Sequence, residues 1–190
     1  AQIKRSQREK PRIRFGGREY LDSFHAVYTL NMRDLGSPPH SKKFFQNILN
    51  FFPNNSWIIV LYLNNRPVAG AFLIGYGNTL DIPFASTIRE VNPLSINMLL
   101  YSEVLNFAVQ SGFKYFNFGR STKDTGTYRF KQQWGAQPEQ LYWHYGLVKR
   151  NNIPHLSPAN PKYSLLIQMW KRLPTNLVTW LGPRIVKNIP

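Results

Sequence analysis

At 190 residues and 22.2 kDa the chain is one domain of ordinary size, or one domain with tails, and a composition 43% hydrophobic and 15% aromatic excludes a disordered chain. Zero cysteines exclude disulfides, thiolate zinc sites and cysteine nucleophiles, and point to a reducing compartment, so a cytoplasmic protein is expected. The formal charge of +15 lies at the two ends: residues 1–18 hold seven Lys or Arg against Glu9, residues 149–190 hold seven and no acid, and the stretch between carries only +2.

Basic flanks attract polyanions, whether RNA, a nucleotide phosphate or an anionic lipid surface, by a Coulombic force that salt weakens. The plainer alternative is a solvated linker and a basic surface. No run approaches the ~18 apolar residues that a membrane span needs, and no signal-peptide pattern opens the chain. The sequence begins at Ala1, and Lys4 to Arg14 reads as an exposed connector from something upstream, so a piece of a longer protein is expected. Its parts are a basic linker over 1–18, a folded domain over 19–150 and a basic amphipathic helical extension over 151–190.

In chain order, Leu21, Phe24, Val27, Tyr28 and Leu30 fall near helical spacing, and Phe44, Ile48, Leu49 and Phe52 repeat it after Pro38-Pro39, which predicts two leading helices. Residues 57–63 are a nearly continuous apolar run rich in β-branched and aromatic side chains, followed by the turn-like Asn64-Asn65-Arg66-Pro67. Residues 68–76, the turn Gly77-Asn78 and residues 79–85 complete an antiparallel meander, with Pro67 and Pro83 at strand ends or edges.

From Pro93 the period becomes 3.6, with Ile96, Leu99, Leu100, Val104, Phe107 and Ala108 on one side and Gly112 as the stop. A short aromatic strand over 114–118 then implies a crossover connection. A short helix over 127–134 and a last strand over 141–148 finish the domain. The order ααβββαβαβ, an α/β (α+β) arrangement with a mixed, mostly antiparallel sheet flanked by helices, resembles the GNAT N-acyltransferase fold; topology alone does not give function.

The connection from Ala85 to Pro93 contains no glycine, and none occurs between Gly77 and Gly112. A backbone cradle that closes on a pyrophosphate relies on glycine, so coenzyme A is a poor first choice of donor. The densest polar constellation follows the aromatic strand. There Arg120, Ser121 and Lys123, with the N–H groups that open the next helix, can take an anion. In that helix Tyr128 and Lys131 are three apart on one face, and Phe130 and Trp134 are four apart on another. A lysine beside aromatic packing can stabilise an oxyanion during acyl transfer, and a tyrosine can relay a proton. The competing reading makes Arg129 and Lys131 solvated surface charges.

Three segments carry a resemblance to a known family: Asn97-Met98-Leu99-Leu100-Tyr101, the run from Gly112 to Ser121, and Gly126-Thr127-Tyr128-Arg129-Phe130-Lys131-Gln132-Gln133-Trp134-Gly135. In these the chain resembles the FemAB family of peptidyl and aminoacyl transferases, especially FemAB-like proteins associated with exosortase (PEP-CTERM) exopolysaccharide clusters. The resemblance runs from about Phe15 to Arg184. It implies two acyltransferase-like domains per protein, of which this chain resembles the second, and a reaction moving an amino acid from aminoacyl-tRNA to an amine of an envelope precursor. It also implies Phe130 and Lys131 at the reacting centre. From the residues themselves Tyr128 is expected to assist them, and Asn97, Arg120, Ser121, Lys123 and Arg129 are expected to contact substrate. Asn117 departs from the family, which often has Asp there.

His25, His40, His144 and His155 have no metal-ligand spacing, Asp81 and Asp124 have no partner carboxylate, and no nucleophile elbow occurs. Metal and hydrolase chemistry are therefore not expected. The tail from Tyr163 to Ile189 mixes Leu, Ile, Trp and Val with Lys171, Arg172, Arg184 and Lys187, broken by Pro174 and Pro183, and suits either packing or a membrane interface. The expected function is N-acyl transfer to an amine of a peptidoglycan- or exopolysaccharide-related precursor. No cofactor is expected to bind tightly, and the donor is aminoacyl-tRNA in preference to acyl-CoA. Expected partners are an upstream GNAT-like domain, tRNA, and a membrane surface or lipid-linked saccharide at the inner face of the cytoplasmic membrane. The rival function is a non-catalytic module binding polyanions or membrane.

Overall fold

The computed structural model of the protein describes residues 1–146, 148 and 161–188. It divides into two compact units, one of residues 1–119 with the chain from 170 onward, the other of residues 120–169.

The first unit is built on a five-stranded sheet. Its elements are α1 (Gln2–Arg8), β1 (Arg12–Gly16), α2 (Leu21–Leu35), α3 (Lys42–Phe51), β2 (Ser56–Leu63), β3 (Arg66–Tyr76), β4 (Thr79–Thr87), α4 (Ile96–Gln110) and β5 (Tyr115–Asn117). Strand order is sequential, β1-β2-β3-β4-β5, antiparallel up to β4 and parallel between β4 and β5. Asn64 and Asn65, at φ 49° and 63°, make the two-residue turn between β2 and β3, because asparagine tolerates the left-handed region that a tight hairpin of this hand requires. Helix α4 is the crossover that makes the last pair parallel. It ends on Gly112 (φ 77°), whose N–H bonds the Val109 carbonyl while the Phe113 N–H bonds that of Ala108.

Strand alternation sends side chains to two cores. Ile59, Leu61, Ala69, Ala71, Leu73 and Leu80 pack with Leu99, Leu100, Val104 and Ala108 of α4. On the opposite face Ile58, Val60 and Phe72 pack with Leu21, Phe24 and Tyr28 of α2 and Phe45 and Leu49 of α3. Gly70 lets α2 lie close, since a Cβ there would sit 3.1 Å from the Ile59 carbonyl and 3.3 Å from the Phe24 ring. Phe45 is the hub of this face, fully buried, with its ring 5.1 to 5.2 Å from those of Phe24, Tyr28, Phe72 and Phe84.

The chain returns to this unit at α7 (Thr175–Val186), where Val178 is fully buried and the missing side chain of Gly182 admits Pro39. Trp170 donates from Nε1 to the Ser37 carbonyl at 3.1 Å. The second unit holds α5 (Gly126–Gln133) and most of α6 (Pro161–Lys171).

Two expectations are corrected. Residues 1–18, read as a linker, supply α1 and β1. Ile13 and Phe15 turn inward from β1, Phe15 stacks on Phe107 at 5.1 Å, and Ser6 is wholly buried, while Arg12 and Arg14 alternate outward. Net charge concealed this short alternation. Residues 141–148 were expected as a last strand, but 141–146 and 148 take no part in the sheet, and Tyr142 and Trp143 are 79% and 63% exposed. An alternating aromatic pattern makes a strand only when an edge is there to receive it.

Phe45→Ala removes the hub of the aromatic core and is expected to lower stability by about 3–5 kcal/mol, measured by urea unfolding.

Candidate active site

The first unit contains a break in the sheet. β4 and β5 pair over three residues only, Thr79, Leu80 and Asp81 against Tyr115, Phe116 and Asn117. β4 then runs on to Thr87 paired with β3 but, among the described residues, with no strand on its other side, so β4 and β5 part immediately past Asp81 and Asn117. The register supplies the cause. Phe72 pairs with Phe84 and Ile74 with Asp81, leaving Leu73 opposite both Ile82 and Pro83, a bulge that bends β4, and Pro83 has no N–H to offer a neighbour.

Asp81 lies at the fork. Residues directly opposite on antiparallel strands share a face, so Asp81 points with Ile74 to the α2/α3 side. Its Oδ1 is buried and has no hydrogen-bond partner among the described residues. A buried carboxylate oxygen without a donor is energetically costly and chemically a base. The sequence reading placed Asp81 among structural or surface residues because no carboxylate lies near it in the chain. The parallel register sets it directly across from Asn117, the position where the resembled family often has its acid.

The α4 side of the fork presents Tyr101. Its ring stacks on Phe118 at 6.0 Å, and burial pushes its phenol up to about 12, so it stays protonated across the physiological range. The connection from β4 to α4 is a 3-10 turn (Arg89–Leu94) ending at Ser95 in the left-handed region, φ 57°. The Ser6 hydroxyl of α1, which has one proton to give, lies 2.8 Å from the carbonyls of both Leu94 and Ser95. Asn97, half-buried, is the second residue of α4.

The remaining expected site residues belong to the second unit. Thr125 caps α5, accepting from the Tyr128 N–H at 3.4 Å and donating to the Thr122 carbonyl at 2.6 Å. The helix ends at Gly135 (φ 80°), with the Ala136 N–H bonded to the Lys131 carbonyl. Lys131 is half-buried and donates from Nζ to the Arg120 carbonyl at 2.8 Å, which ties the helix to the start of this unit. Burial pulls its amine below the usual lysine value of 10.5. Phe130 meets Trp134 edge to face at 6.4 Å. Arg120 stacks its guanidinium 5.0 Å over Trp143. Ser121 has a buried hydroxyl oxygen without a partner among the described residues, Tyr128 is half-buried, and Lys123 and Arg129 are exposed. The unit therefore brings Arg120, Lys131, Phe130 and Trp134 into one connected arrangement, while Lys123 and Arg129 stand out in solvent.

Among the described residues no cluster of three or more His, Asp or Glu is placed to hold a metal.

A sheet parted between a bulged fourth strand and a parallel fifth, with a crossover helix behind the gap, is the architecture of GNAT N-acyltransferases. Residues 1–132 match the family model of the acetyltransferase (GNAT) domain, and the chain belongs to that family, a family of acyltransferases. Solved structures share the fold. The aminoglycoside acetyltransferase meta-AAC0020 from an uncultured soil metagenomic sample, solved with sisomicin, superimposes with a TM-score of 0.59 at 15% identity, over 75% of this chain and 99% of its own. AAC(6')-Iy, solved with the bisubstrate analogue CoA-S-monomethyl-acetylneamine, gives 0.59 at 11% identity over 73% and 99%. FemX gives 0.60 at 11% identity, and this chain spans 51% of it. At such identities the likeness is one of fold. No curated sequence matches the chain.

The depressed amine is directly measurable: a carbon-13 NMR titration of the lysine ε-methylenes is expected to show Lys131 losing its proton at a midpoint below 10.5.

Proposed function

We propose that the protein transfers an activated acyl group, aminoacyl from tRNA in the first instance, onto a primary amine of a cell-envelope precursor of peptidoglycan or exopolysaccharide type. The observation that carries this reading is the parted β4–β5 pair with the unpartnered carboxylate oxygen of Asp81 on one face of the fork and the protonated phenol of Tyr101 on the other. A gap through a sheet lets two substrates meet from opposite sides. The amine enters neutral from the α2/α3 side and its nitrogen adds to the acyl carbonyl carbon, passing the proton it sheds to Asp81. The acyl C–O bond then breaks as the donor's oxygen leaves with a proton from Tyr101, and the proton on Asp81, returned through solvent, restores the phenol.

Lys131, in the second unit, has the properties of an oxyanion-stabilising cation, a half-buried ammonium held by a backbone carbonyl. We assign it that role, with Phe130 shaping its surroundings and Tyr128 assisting. Arg120, Ser121 and Lys123 are assigned to an anionic part of a substrate, with Arg129 and Asn97 as further contacts. The resemblance to FemAB enzymes supports an aminoacyl donor and an upstream domain of similar fold, and FemX, of which this chain spans 51%, shares the fold. The β4–α4 connection supports such a donor too, because it lacks glycine and α1 is seated on it through Ser6. The exposed Lys4, Arg5 and Arg8 of α1 suit a tRNA backbone.

A second reading takes acyl-CoA as donor, favoured by the AAC(6')-Iy structure with its CoA bisubstrate analogue.

Mass spectrometry of amine acceptors incubated with full-length protein and either charged tRNA or acetyl-CoA distinguishes these. Transfer from charged tRNA is expected; transfer from acetyl-CoA alone would establish the second reading, and none from either would overturn the enzyme assignment in favour of a polyanion-binding module. Asp81→Asn is expected to slow transfer by about 10²–10⁴ without lowering the unfolding temperature, since it retains shape and its amide can donate where the carboxylate oxygen had no donor. Lys131→Ala is expected to cost about 10²–10³ in kcat with donor binding intact.

A further inference from the structure

Helix α7 has two unlike sides. Inward, Val178 is fully buried and Gly182 sits against Pro39. Outward, Leu177 and Trp180 are 45% and 57% exposed and lie three residues apart on one face. Cations frame that face. Arg184 lies 4.4 Å over the Trp180 ring, Lys187 is exposed just past the C-terminus, and Lys171 and Arg172 are exposed shortly before the helix begins. No Asp or Glu occurs in the sequence after Glu139.

We propose that α7 is an interfacial helix that lays the protein on the surface of an anionic lipid bilayer, with Leu177 and Trp180 entering the acyl boundary and Lys171, Arg172, Arg184 and Lys187 meeting lipid phosphates. Charge and apolarity together select this occupant. A nucleic acid would neutralise the cations and leave Leu177 in water. A protein interface is depleted of lysine at its core, whereas this face is one-signed and includes two lysines. Tryptophan with its polar edge and arginine stacked on it suits the headgroup level, where the ring is half-immersed and the guanidinium reaches phosphate. Each basic residue near an anionic leaflet strengthens binding roughly fivefold. No helix among the described residues is long and apolar enough to cross a membrane, so the mode is lying on the surface. The inference is independent of the acyl-transfer reading, and the test below involves no transfer.

Co-sedimentation of the full chain with phosphatidylcholine vesicles, with and without phosphatidylglycerol, tests it. Wild-type protein is expected to partition at least about tenfold more strongly onto the anionic vesicles, with binding falling as salt rises. Leu177→Ser with Trp180→Ser is expected to reduce binding about tenfold or more with the circular dichroism spectrum unchanged. Arg184→Gln with Lys187→Gln is expected to reduce binding to anionic vesicles alone. Equal binding to both vesicle types, no binding to either, or undiminished binding by the serine double variant overturns the proposal. Should that variant unfold, hydrogen exchange on the wild type decides. Vesicle-induced slowing across α7 supports the assignment, and exchange unchanged by vesicles, or already slow without them because another polypeptide covers the face, overturns it.

Discussion

The backbone of β4 is constrained in a way that organises the first unit. Two residues, Ile82 and Pro83, stand opposite one on β3, and the strand bends where they do. A bent strand bearing a proline cannot hold a straight neighbour along its length, so β5 pairs for three residues and departs. The crossover helix α4 is then placed behind an opening in place of a continuous sheet. The aromatic core around Phe45 on one face and the aliphatic core against α4 on the other hold the two lips of that opening apart.

The opening gives ordinary residues unusual surroundings. Asp81, which on a surface strand would be a hydrated carboxylate, has one oxygen buried and without a donor among the described residues. Tyr101, against Phe118 and the α4 core, keeps its proton far above neutrality. The carboxylate oxygen is an acceptor and the phenol carries a proton at neutral pH, the pair of roles that acyl transfer to an amine requires. The seating of Ser6 beneath the start of α4 shows that the basic N-terminal segment is part of this architecture and carries its charges on a folded surface.

Charge is distributed by the same logic of faces. Arg12 and Arg14 alternate outward along the free edge of β1, where they discourage further strand pairing. Arg184 is held over Trp180, coupling a cation to an apolar surface on the outer side of a helix whose inner side is anchored by Val178. A count of +15 conveys attraction for polyanions, but only the folded arrangement separates cations that protect an edge from those that accompany exposed apolar side chains.

Much of the fold was legible in the chain because periodicity reports local geometry. The leading helices, the meander with its Asn-Asn and Gly-Asn turns, the α4 stripe ending at Gly112 and the short aromatic strand were all readable from apolar spacing and turn residues. The helix bearing Tyr128, Phe130 and Lys131 was legible as a short helix over 127–134, while its cap at Thr125 and its start at Gly126 came from the structure. What the tertiary structure alone decided were matters of register and burial. The pairing of Ile74 with Asp81 and of Asp81 with Asn117 joins residues distant in sequence, and no local pattern records which carboxylate will lose its water. Likewise β1 exists because an edge of β2 was available to receive Ile13 and Phe15, whereas the aromatic run at 141–146 has no strand beside it. A strand is a property of two segments, and one segment's sequence specifies only its half.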